Sequence, residues 1–363
     1  MTDISYDELG PARVIQLYSA KEGIRAFVVI DNTALGPAIG GVRMSPAVSV
    51  EEVCRLARAM TLKNSAAGLP HGGAKAGIVA NPSDPRKERI FRVFARMIKE
   101  LAEYIPGPDM GCDEAAMAWI HDETGRSVGL PAELGGLPLD QLGATGFGVA
   151  ECAEVAAGFA GLEMRGARVA VEGFGSVGKA AARFLAAKGA VLVAASDSRG
   201  AIYDPSGIDQ EALAGVKSRG GSVADYGRGR RLSRDEIFAL PCDILVPAAT
   251  PDVIHAGNAG QIQARLILEG ANIPATPEAE KQLQARGTLV LPDFIANAGG
   301  VIMAAMEYAG KNEQEAFAAI TERIRKNTTA VLEKAAREGI LPRAAGDALA
   351  RERVGKATSY RDY

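Results

Sequence analysis

Two lysines and one aspartate are the residues of this sequence whose types and spacing most clearly suggest chemistry. Lys63 and Lys75 bracket the segment KNSAAGLPHGGAK, and Asp109 lies in the turn PGPDMG. The ammonium group of lysine is strongly hydrated, so lysines are unusual in a compact run of small residues. Their presence here suggests that the charges have a function. A cation that binds a carboxylate, an amine that acts as a base and an acid that carries protons could together remove an amine oxidatively. A snorkelling side chain is the alternative interpretation of Lys63.

The same segment has the outline of a phosphate-binding loop, because Gly68 and Gly73 precede a lysine. However, Ala74 intervenes before the lysine, and Ala76 stands where serine or threonine would hold magnesium. The segment also precedes a predicted strand instead of opening a helix. We therefore do not interpret it as a phosphate loop.

The elements that must position these residues form an N-terminal α/β region. Alternating stretches such as FVVIDNT predict strands, and residues 49–66 place Lys63 on the apolar face of a helix. A strand is predicted over 76–82, and helices are predicted over 86–104 and in AAMAWIHDETGR. Residues 1–140 are thus the predicted substrate and oligomerisation domain, which ends in the hinge-like stretch GLPAELGGLPLDQLGATG.

From about residue 165, strands alternate with helices. The segment GFGSVG directly follows the strand RVAVE and opens an Ala-rich helix, which is the context that a dinucleotide-binding fingerprint requires. Gly173 allows the tight turn, Gly175 lets backbone approach a pyrophosphate, and Gly178 lets the helix lie against the strand. With CDILVPAA, ARLILEGAN and GTLVLPDF, this alternation predicts a parallel, doubly wound Rossmann domain over 141–329. C-terminal helices over about 330–363 are expected to join the first domain.

An acid near the fingerprint bears on the choice of cofactor. Asp197 ends the second strand of this domain 22 residues after Gly175, where a carboxylate can bind the 2′-hydroxyl of the adenosine ribose. It would repel a 2′-phosphate, so the sequence favours NAD. Arg199, two residues further on, could bind that phosphate, so NADP stays possible.

Composition excludes several classes of partner. The 363 residues are 47% hydrophobic and 23% charged with a net charge of −3, as expected of a globular protein without a nucleic-acid or anionic-membrane surface. The basic cluster GRGRR (227–231) is interpreted as a solvated loop. No apolar run approaches the roughly 18 residues of a membrane span, and the start lacks a signal core, so a cytoplasmic location is expected. The scattered cysteines and histidines suggest neither disulfides nor a metal site, and no GxSxG motif is present.

Ordered motifs give this chain a resemblance to a known family. It resembles the glutamate/leucine/phenylalanine/valine dehydrogenase superfamily over nearly its whole length. The matching stretches are GPAIGGVRM, KNSAAGLPHGGAKAGI, GPDMGCDEAAMAWIHDE, GATGFGV, EGFGSVG, CDILVPAA, EGANIPATPEA and PDFIANAGGVI. The resemblance implies reversible NAD(P)-dependent oxidative deamination of an amino acid to a 2-oxo acid and ammonia. It also implies a homo-oligomer, hexameric or octameric, with substrate bound between domains that close about a hinge.

Site residues follow from the resemblance. The family's catalytic lysine falls on Lys75, its catalytic aspartate on Asp109 and its carboxylate-binding lysine on Lys63. The other expected substrate-binding residues are Ile39, Gly40, Gly72, Gly73, Asn272 and Ala304. The expected cofactor-binding residues are Thr145, Gly173, Phe174, Gly175, Ser176, Val177, Gly178, Asp197, Ser198, Arg199, Ala248, Ala249, Asn272 and Asn297.

Two positions suggest the substrate. Glutamate enzymes of this family carry a lysine where this chain has Ile39, and a serine where it has Ala304. Burial of a carboxylate against two apolar residues would cost several kcal/mol, so we expect a nonpolar L-amino acid of the leucine, valine or phenylalanine type. Ile39 could instead be a residue of the hydrophobic core, with the substrate pocket elsewhere.

Other features keep alternatives open. SDSRGAIYDPSGID looks more like the glutamate branch, and His71 fits neither branch; it could contact a polar substrate or cap the turn. A glutamate dehydrogenase with another cation is therefore one alternative. A catalytically silent cofactor-binding paralogue is a second, although the two lysines and the aspartate argue against it. A nucleophilic role for Cys112 is disfavoured, because no histidine lies near it in the sequence.

Overall fold

The computed structural model describes residue 4 and residues 6–361, which form two compact units. The first contains the described residues up to Leu139, together with Val301–Ala319 and those from Asp347 onward. The second contains Asp140–Gly300 and Ile320–Gly346. The boundary near residue 140 falls within the hinge-like stretch. The C-terminal part divides differently from the expected single return at about residue 330, because it contributes to both units.

The first unit is built on a five-stranded mixed sheet with the strand order β1-β2-β4-β3-β5. Strands β1 and β2 are antiparallel, β2 and β4 are antiparallel, and β3 runs parallel to both β4 and β5. The bounds are β1 Arg13–Ser19, β2 Ile24–Asn32, β3 Ala38–Met44, β4 Gly72–Ile78 and β5 Tyr104–Gly107. The segment GGAK is thus part of β4, whereas the sequence predicted a strand only over 76–82.

Three helices complete the main body of the first unit: α1 Val50–Ala66, α2 Lys87–Met97 and α3 Glu114–Thr124. Ser49 and Asp113 begin α1 and α3, because their side chains accept hydrogen bonds from backbone N–H groups of the first turn. One face of the sheet packs with apolar residues of α2 and α3, such as Phe91, Phe94 and Met117. The other face meets α1.

The second unit contains a seven-stranded sheet with the order β12-β11-β10-β6-β7-β8-β9. The five strands from β12 to β7 are parallel, as predicted for a doubly wound domain, whereas β8 and β9 are antiparallel additions at one edge. The bounds are β6 Arg168–Glu172, β7 Val191–Asp197, β8 Gly200–Tyr203, β9 Arg230–Leu232, β10 Ile244–Pro247, β11 Leu266–Leu268 and β12 Leu289–Leu291.

The edge strand β9 corrects one expectation. Residues 227–231 do not form only a solvated loop, because Arg230 and Arg231 pair with Tyr203 and Ile202 of β8. Both arginines remain exposed, as a charged edge strand usually is.

The remaining helices are α4 Leu139–Leu142, α5 Ala144–Phe159, α6 Ser176–Ala187, α7 Gln210–Ser218, α8 Ala256–Ala259, α9 Pro277–Ala285, α10 Asp293–Ala296, α11 Gly299–Tyr308, α12 Glu313–Glu338 and α13 Pro342–Thr358. In the sequence, Phe317, Ile320, Ile324, Val331 and Leu332 predict a long amphipathic helix from residue 313, and it is present as α12. Across the described part of the chain, no helix has the length and apolar character that crossing a membrane requires.

Candidate active site

The candidate site lies on the face of the first sheet that meets α1. Side chains of a strand alternate between faces, and Ala74, Ala76 and Ile78 of β4 point into the core on the opposite side. Lys75 therefore shares the α1 face with Gly73 and Gly77. Strand β3 lies in register with β4, since Ile39 pairs with Gly73.

Lys75 and Asp109, the predicted catalytic pair, meet on this face. Nζ of Lys75 lies 3.0 Å from Oδ2 of Asp109, and the exposed fractions of the two side chains are 8% and 17%. Asp109 follows β5 and is held by a bridge to Cys112, whose N–H donates to the Asp109 carbonyl at 2.9 Å. A short ion pair with so little exposure can exchange a proton without bulk water.

A third charged residue, Arg43, was not predicted. Its Nε donates to Asp109 Oδ2 at 2.9 Å, and its Nη2 lies 3.5 Å from Oδ1. Its Nη1 donates to Oε1 of Glu52 on α1 at 2.5 Å. The available signal was the position of Arg43 two residues after Gly41 on β3, which puts both on one face of the strand.

The charges in this cluster act against the effect of burial. Burial raises the pKa of Asp109, but the attraction of Lys75 and Arg43 and their hydrogen bonds lower it to about 2. Asp109 is thus a carboxylate at neutral pH. Its Oδ2 accepts from both cations, whereas Oδ1 has only the long contact with Arg43.

Glycine at position 41 is required by the approach of these side chains. A Cβ there would lie 2.8 Å from Cβ of Asp109 and 3.0 Å from Nζ of Lys75. The predicted substrate-binding glycines have a different environment: a Cβ would meet backbone of Ala74 at Gly40, of Asn32 at Gly72 and of Thr61 at Gly73. These three glycines therefore allow close packing of strands and α1. Their contact with a substrate stays a prediction.

The other predicted substrate residues of the first unit surround this strand pair. Lys63 is buried in the last turn of α1, and the next residue, Asn64, donates from Nδ2 to the carbonyl of Gly72 at 2.6 Å. His71 lies 3.0 Å from the carbonyl of Pro37 through Nδ1, and its ring packs edge-on against Tyr308. This contact fits the interpretation of His71 as a turn cap. Its burial lowers the pKa of its imidazole, despite the opposing hydrogen bond to the Pro37 carbonyl.

Ile39 and Ala304 are both buried, at 3% and 4% exposure. Ile39 is two residues before Gly41 on β3, so its side chain points to the face that carries Lys75. Adjacent residues on one face of a strand are about 7 Å apart, which brings Ile39 within reach of a substrate held at Lys75. Ala304 lies on α11.

In the second unit, the glycine fingerprint has the geometry that its sequence predicts. Gly173 has a φ of +89°, and a Cβ there would lie 2.6 Å from the N atom of Ala249. A Cβ on Gly178 would collide with the carbonyl of Gly173, whereas one on Gly175 would have no neighbour within 4 Å. Helix α6 begins after Gly175 with no side-chain cap, so its first N–H groups can meet a pyrophosphate.

Asp197 has more partners than a ribose-binding acid needs. Its Oδ1 accepts from the N–H of Arg199 at 2.9 Å and from Oγ of Ser222 at 2.8 Å. Its Oδ2 accepts from Nζ of Lys217 at 2.6 Å and from the N–H of Val223 at 2.9 Å. Burial raises its pKa, but these donors lower it to about 2. A ribose hydroxyl would have to compete with them. Ser198 and Arg199 are exposed beside it.

The predicted nicotinamide-side residues form a second group in this unit. Asn297 donates from Nδ2 to Oδ1 of Asn272 at 3.1 Å. A Cβ on Gly300 would lie 2.8 Å from Oγ1 of Thr145, so Thr145 lies beside the start of α11. Ile273, next to Asn272, has a φ of +50°, a strained conformation for a β-branched residue.

An acidic cluster holds this loop and was not predicted. Asp293 accepts from the N–H of Ile273 at 3.1 Å, and Arg343 binds Asp293 at 3.0 Å. The same guanidinium binds Glu269 and Glu280, both at 2.6 Å. Glu269 and Asp293 were visible in the EGAN and PDF segments, but nothing in the sequence linked them to an arginine 50 or more positions away.

The remaining expected cofactor residues lie around the fingerprint. Phe174 is buried, Ser176 is exposed at the start of α6, Val177 is partly buried, and Ala248 donates its N–H to the carbonyl of Glu172 at 2.6 Å. Of the four cysteines, Cys54 is half-buried and the others are buried without disulfides. In the described residues, no group of three or more potential ligands is arranged to hold a metal ion.

A dinucleotide-binding fold in the second unit and a buried lysine–aspartate pair in the first are together typical of a nicotinamide-dependent dehydrogenase, and comparison identifies the family. The family model described as "Glutamate/Leucine/Phenylalanine/Valine dehydrogenase" matches residues 135–362. The model of the family's dimerisation domain matches residues 11–126. The chain therefore belongs to the Glu/Leu/Phe/Val dehydrogenase family. It is an NAD(P)-dependent enzyme that acts on the CH–NH2 group of an amino acid, as the resemblance predicted.

Individual relatives give finer likenesses. The chain is 46% identical to a glutamate dehydrogenase of Aeropyrum pernix over 324 residues, covering 83% of this chain and 77% of that protein. Relatives at 36–38% identity are named NAD-specific or NADP-specific glutamate dehydrogenases.

Two solved structures extend the comparison. The leucine-bound form of the hetero-hexameric glutamate dehydrogenase of Thermus thermophilus has a TM-score of 0.88 and 33% identity, covering 97% of this chain and 90% of that one. The L-tryptophan dehydrogenase of Nostoc punctiforme has a TM-score of 0.75 and 27% identity, covering 97% and 98%. Names in the family thus include both charged and apolar substrates.

Proposed function

We propose that this chain converts an L-amino acid, NAD(P)+ and water into a 2-oxo acid, ammonium, NAD(P)H and a proton, with Lys75 and Asp109 as its catalytic residues. The observation that carries this assignment is the 3.0 Å pair between Lys75 Nζ and Asp109 Oδ2 on a buried sheet face. Asp109 Oδ1, which has only one long contact, is the atom offered to the substrate amine.

The pair accounts for the proton transfers of the reaction. Asp109, a carboxylate at neutral pH, accepts a proton from the substrate ammonium, so that the amine lone pair can assist loss of hydride from Cα. Lys75 then acts as the base for the water that attacks the resulting imine carbon. Collapse of this adduct expels ammonia, to which Asp109 returns its proton. Lys63 is assigned the substrate α-carboxylate.

The second unit is assigned to the cofactor, which when bound takes up the hydride. Gly175, open above its Cα, and the uncapped start of α6 fit a pyrophosphate. Thr145, Asn272 and Asn297 are assigned to the nicotinamide end. NAD is the first choice, with NADP possible. Because four donors already occupy the Asp197 carboxylate, its repulsion of a 2′-phosphate does not decide between NAD and NADP.

Glutamate is the first candidate substrate. Relatives that cover most of the chain at 36–46% identity carry that name. This reading replaces the expectation of a nonpolar substrate as the main one. Because position 39 is an isoleucine, this assignment requires a cationic residue elsewhere to bind the distal carboxylate of glutamate.

A nonpolar L-amino acid is the second candidate, and one specific observation favours it. Ile39 is buried and points to the sheet face of Lys75, where an alkyl or aromatic side chain gains about 25 cal/mol per Å² of buried surface. A carboxylate there would lose hydration without a counter-ion. The tryptophan dehydrogenase structure shows that the family includes such substrates.

The deciding experiment measures kcat/KM for NAD+ and NADP+ reduction with a panel of L-amino acids, and for the reverse reaction with the matching 2-oxo acids and ammonium. Glutamate well above leucine, valine, phenylalanine and tryptophan supports the first candidate, and the opposite order supports the second. No turnover with intact NADH binding would overturn the proposal and favour the silent paralogue. An oligomer is also proposed, and light scattering after size exclusion gives its size.

A further inference from the structure

We propose that Arg43, anchored by Glu52, is a positioning residue for the reaction: it holds the Asp109 carboxylate in place and keeps it ionised when water leaves the site. The inference deepens the proposed function and rests on it for the kinetic part of its test. Arg43 is not assigned any contact with substrate or cofactor.

The contacts of Arg43 suit this role. Two nitrogens of its planar guanidinium face the two oxygens of Asp109, at 2.9 Å for Nε–Oδ2 and 3.5 Å for Nη2–Oδ1. A two-point contact fixes the plane of a carboxylate, which a single ammonium cannot do. The asymmetry of the two distances leaves Oδ1 the freer oxygen.

Glu52 fixes Arg43 from the other side. Its Oε1 accepts from Nη1 at 2.5 Å. Glu52 lies in the first turn of α1, whose N-cap is Ser49. Helix α1 also carries Lys63 in its last turn. One helix thus bears the predicted carboxylate clamp and the anchor of the arginine that orients Asp109.

The charge balance explains why two cations are needed. Asp109 would lose Lys75 as an ion-pair partner whenever Lys75 is the neutral base that the reaction requires. Arg43 cannot be deprotonated in a protein, so it alone keeps a positive charge beside the aspartate throughout the cycle. Without it, burial would favour the protonated acid, which cannot accept a proton from the amine.

The test compares Arg43→Ala and Arg43→Lys with wild type, using the amino acid that the wild type turns over best. We expect kcat/KM to fall on the order of 10²-fold in Arg43→Ala, because the carboxylate is misplaced. Its acid limb should move to higher pH, since loss of a cation favours protonation of the cluster. Arg43→Lys should restore most of the pH profile but less of kcat, and guanidinium ions should partly rescue Arg43→Ala.

Arg92→Ala is the matched control, because Arg92 also binds carboxylates, those of Glu88 at 2.9 Å, Asp122 at 2.6 Å and Glu123 at 3.5 Å, but lies on α2 away from the site. If Arg43→Ala and Arg92→Ala lose the same activity with unchanged pH profiles and no guanidinium rescue, Arg43 is merely structural and the proposal is wrong. NADH affinity checks that the second unit of each variant is folded.

A readout without turnover separates this proposal from the proposed function. The free energy of unfolding is measured as a function of pH for the wild type and Asp109→Asn, and again for Arg43→Gln and the double variant Arg43→Gln/Asp109→Asn. The difference within each pair gives the contribution of Asp109 with and without Arg43. With Arg43, the contribution of ionised Asp109 should be fully present above pH 3.8 and be lost as the pH falls toward about 2. In Arg43→Gln it should disappear at higher pH, even if the wild type oxidises no amino acid. Identical curves would overturn the role of Arg43.

Discussion

Two aspartates, one in each unit, have the same depressed pKa and very different surroundings. Both Asp109 and Asp197 have a pKa of about 2, because cations and hydrogen-bond donors outweigh the effect of burial. Asp197 accepts from four donors, two of them backbone N–H groups. Asp109 is held by two cationic side chains and keeps one oxygen nearly free.

The comparison separates a lowered pKa from a catalytic role. A carboxylate whose lone pairs are all used stabilises the turn around it and has no capacity left for a ligand. A carboxylate held by cations through one oxygen stays charged and keeps an acceptor for substrate. The number and kind of donors therefore identify the working aspartate, whereas the size of the pKa shift does not.

The largest effect is expected at the base beside Asp109. Lys75→Ala should lower kcat on the order of 10³-fold or more, because it removes the general base and one partner of Asp109. NADH binding, measured by fluorescence titration, should be unchanged. Lys99→Ala, at an exposed lysine of the first unit, is the control. Lost NADH binding in Lys75→Ala would show that Lys75 is structural.

The occupied aspartate should instead govern stability. Asp197→Asn should lower the free energy of unfolding by about 1–3 kcal/mol, because donors such as Lys217 and Ser222 lose an ionised acceptor. The folded pKa is depressed from 3.8, so the stabilisation is present above pH 3.8 and is lost as the pH falls toward about 2. Chemical denaturation at pH 7 and pH 3 measures both. An unchanged stability with lost NAD binding would restore the ribose role.

Much of the fold followed from the sequence, whereas the roles of the predicted site residues stay predictions. The Rossmann alternation, α1 and α12 were visible because apolar periodicity and glycine spacing are local signals. Arg43 could not be assigned, because its pairing with Asp109 depends on the register of β3 beside β5. The antiparallel edge of β8 and β9 was missed because GRGRR contains no apolar alternation.

Position 39 sharpens the comparison on the substrate side. Ile39→Lys should raise the ratio of kcat/KM for glutamate over leucine on the order of tenfold, since one new ion pair of about 1.4 kcal/mol would favour the distal carboxylate. Using the ratio cancels the cost of burying the lysine. Ile39→Met, similar in length and uncharged, is the control. An equal ratio in all three proteins would mean that Ile39 does not line the pocket.

The smallest effect is expected at the cation beside Asp197. Lys217→Ala removes a positive charge next to the predicted adenosine ribose, so NADPH should lose a few-fold more affinity than NADH. Titration of both reduced cofactors measures the ratio, with Lys281→Ala, an exposed lysine on α9, as the control. A larger loss for NADH would contradict an interaction of Lys217 with a 2′-phosphate.

The most direct test of the working and occupied aspartates places their asparagine variants side by side. Single-turnover cofactor reduction and the free energy of unfolding are measured for Asp109→Asn and Asp197→Asn. The account predicts that the rate falls on the order of 10²–10⁴-fold in Asp109→Asn and changes little in Asp197→Asn, which loses stability only. Comparable rates in the two variants would contradict the assignment of Asp109 to the reaction.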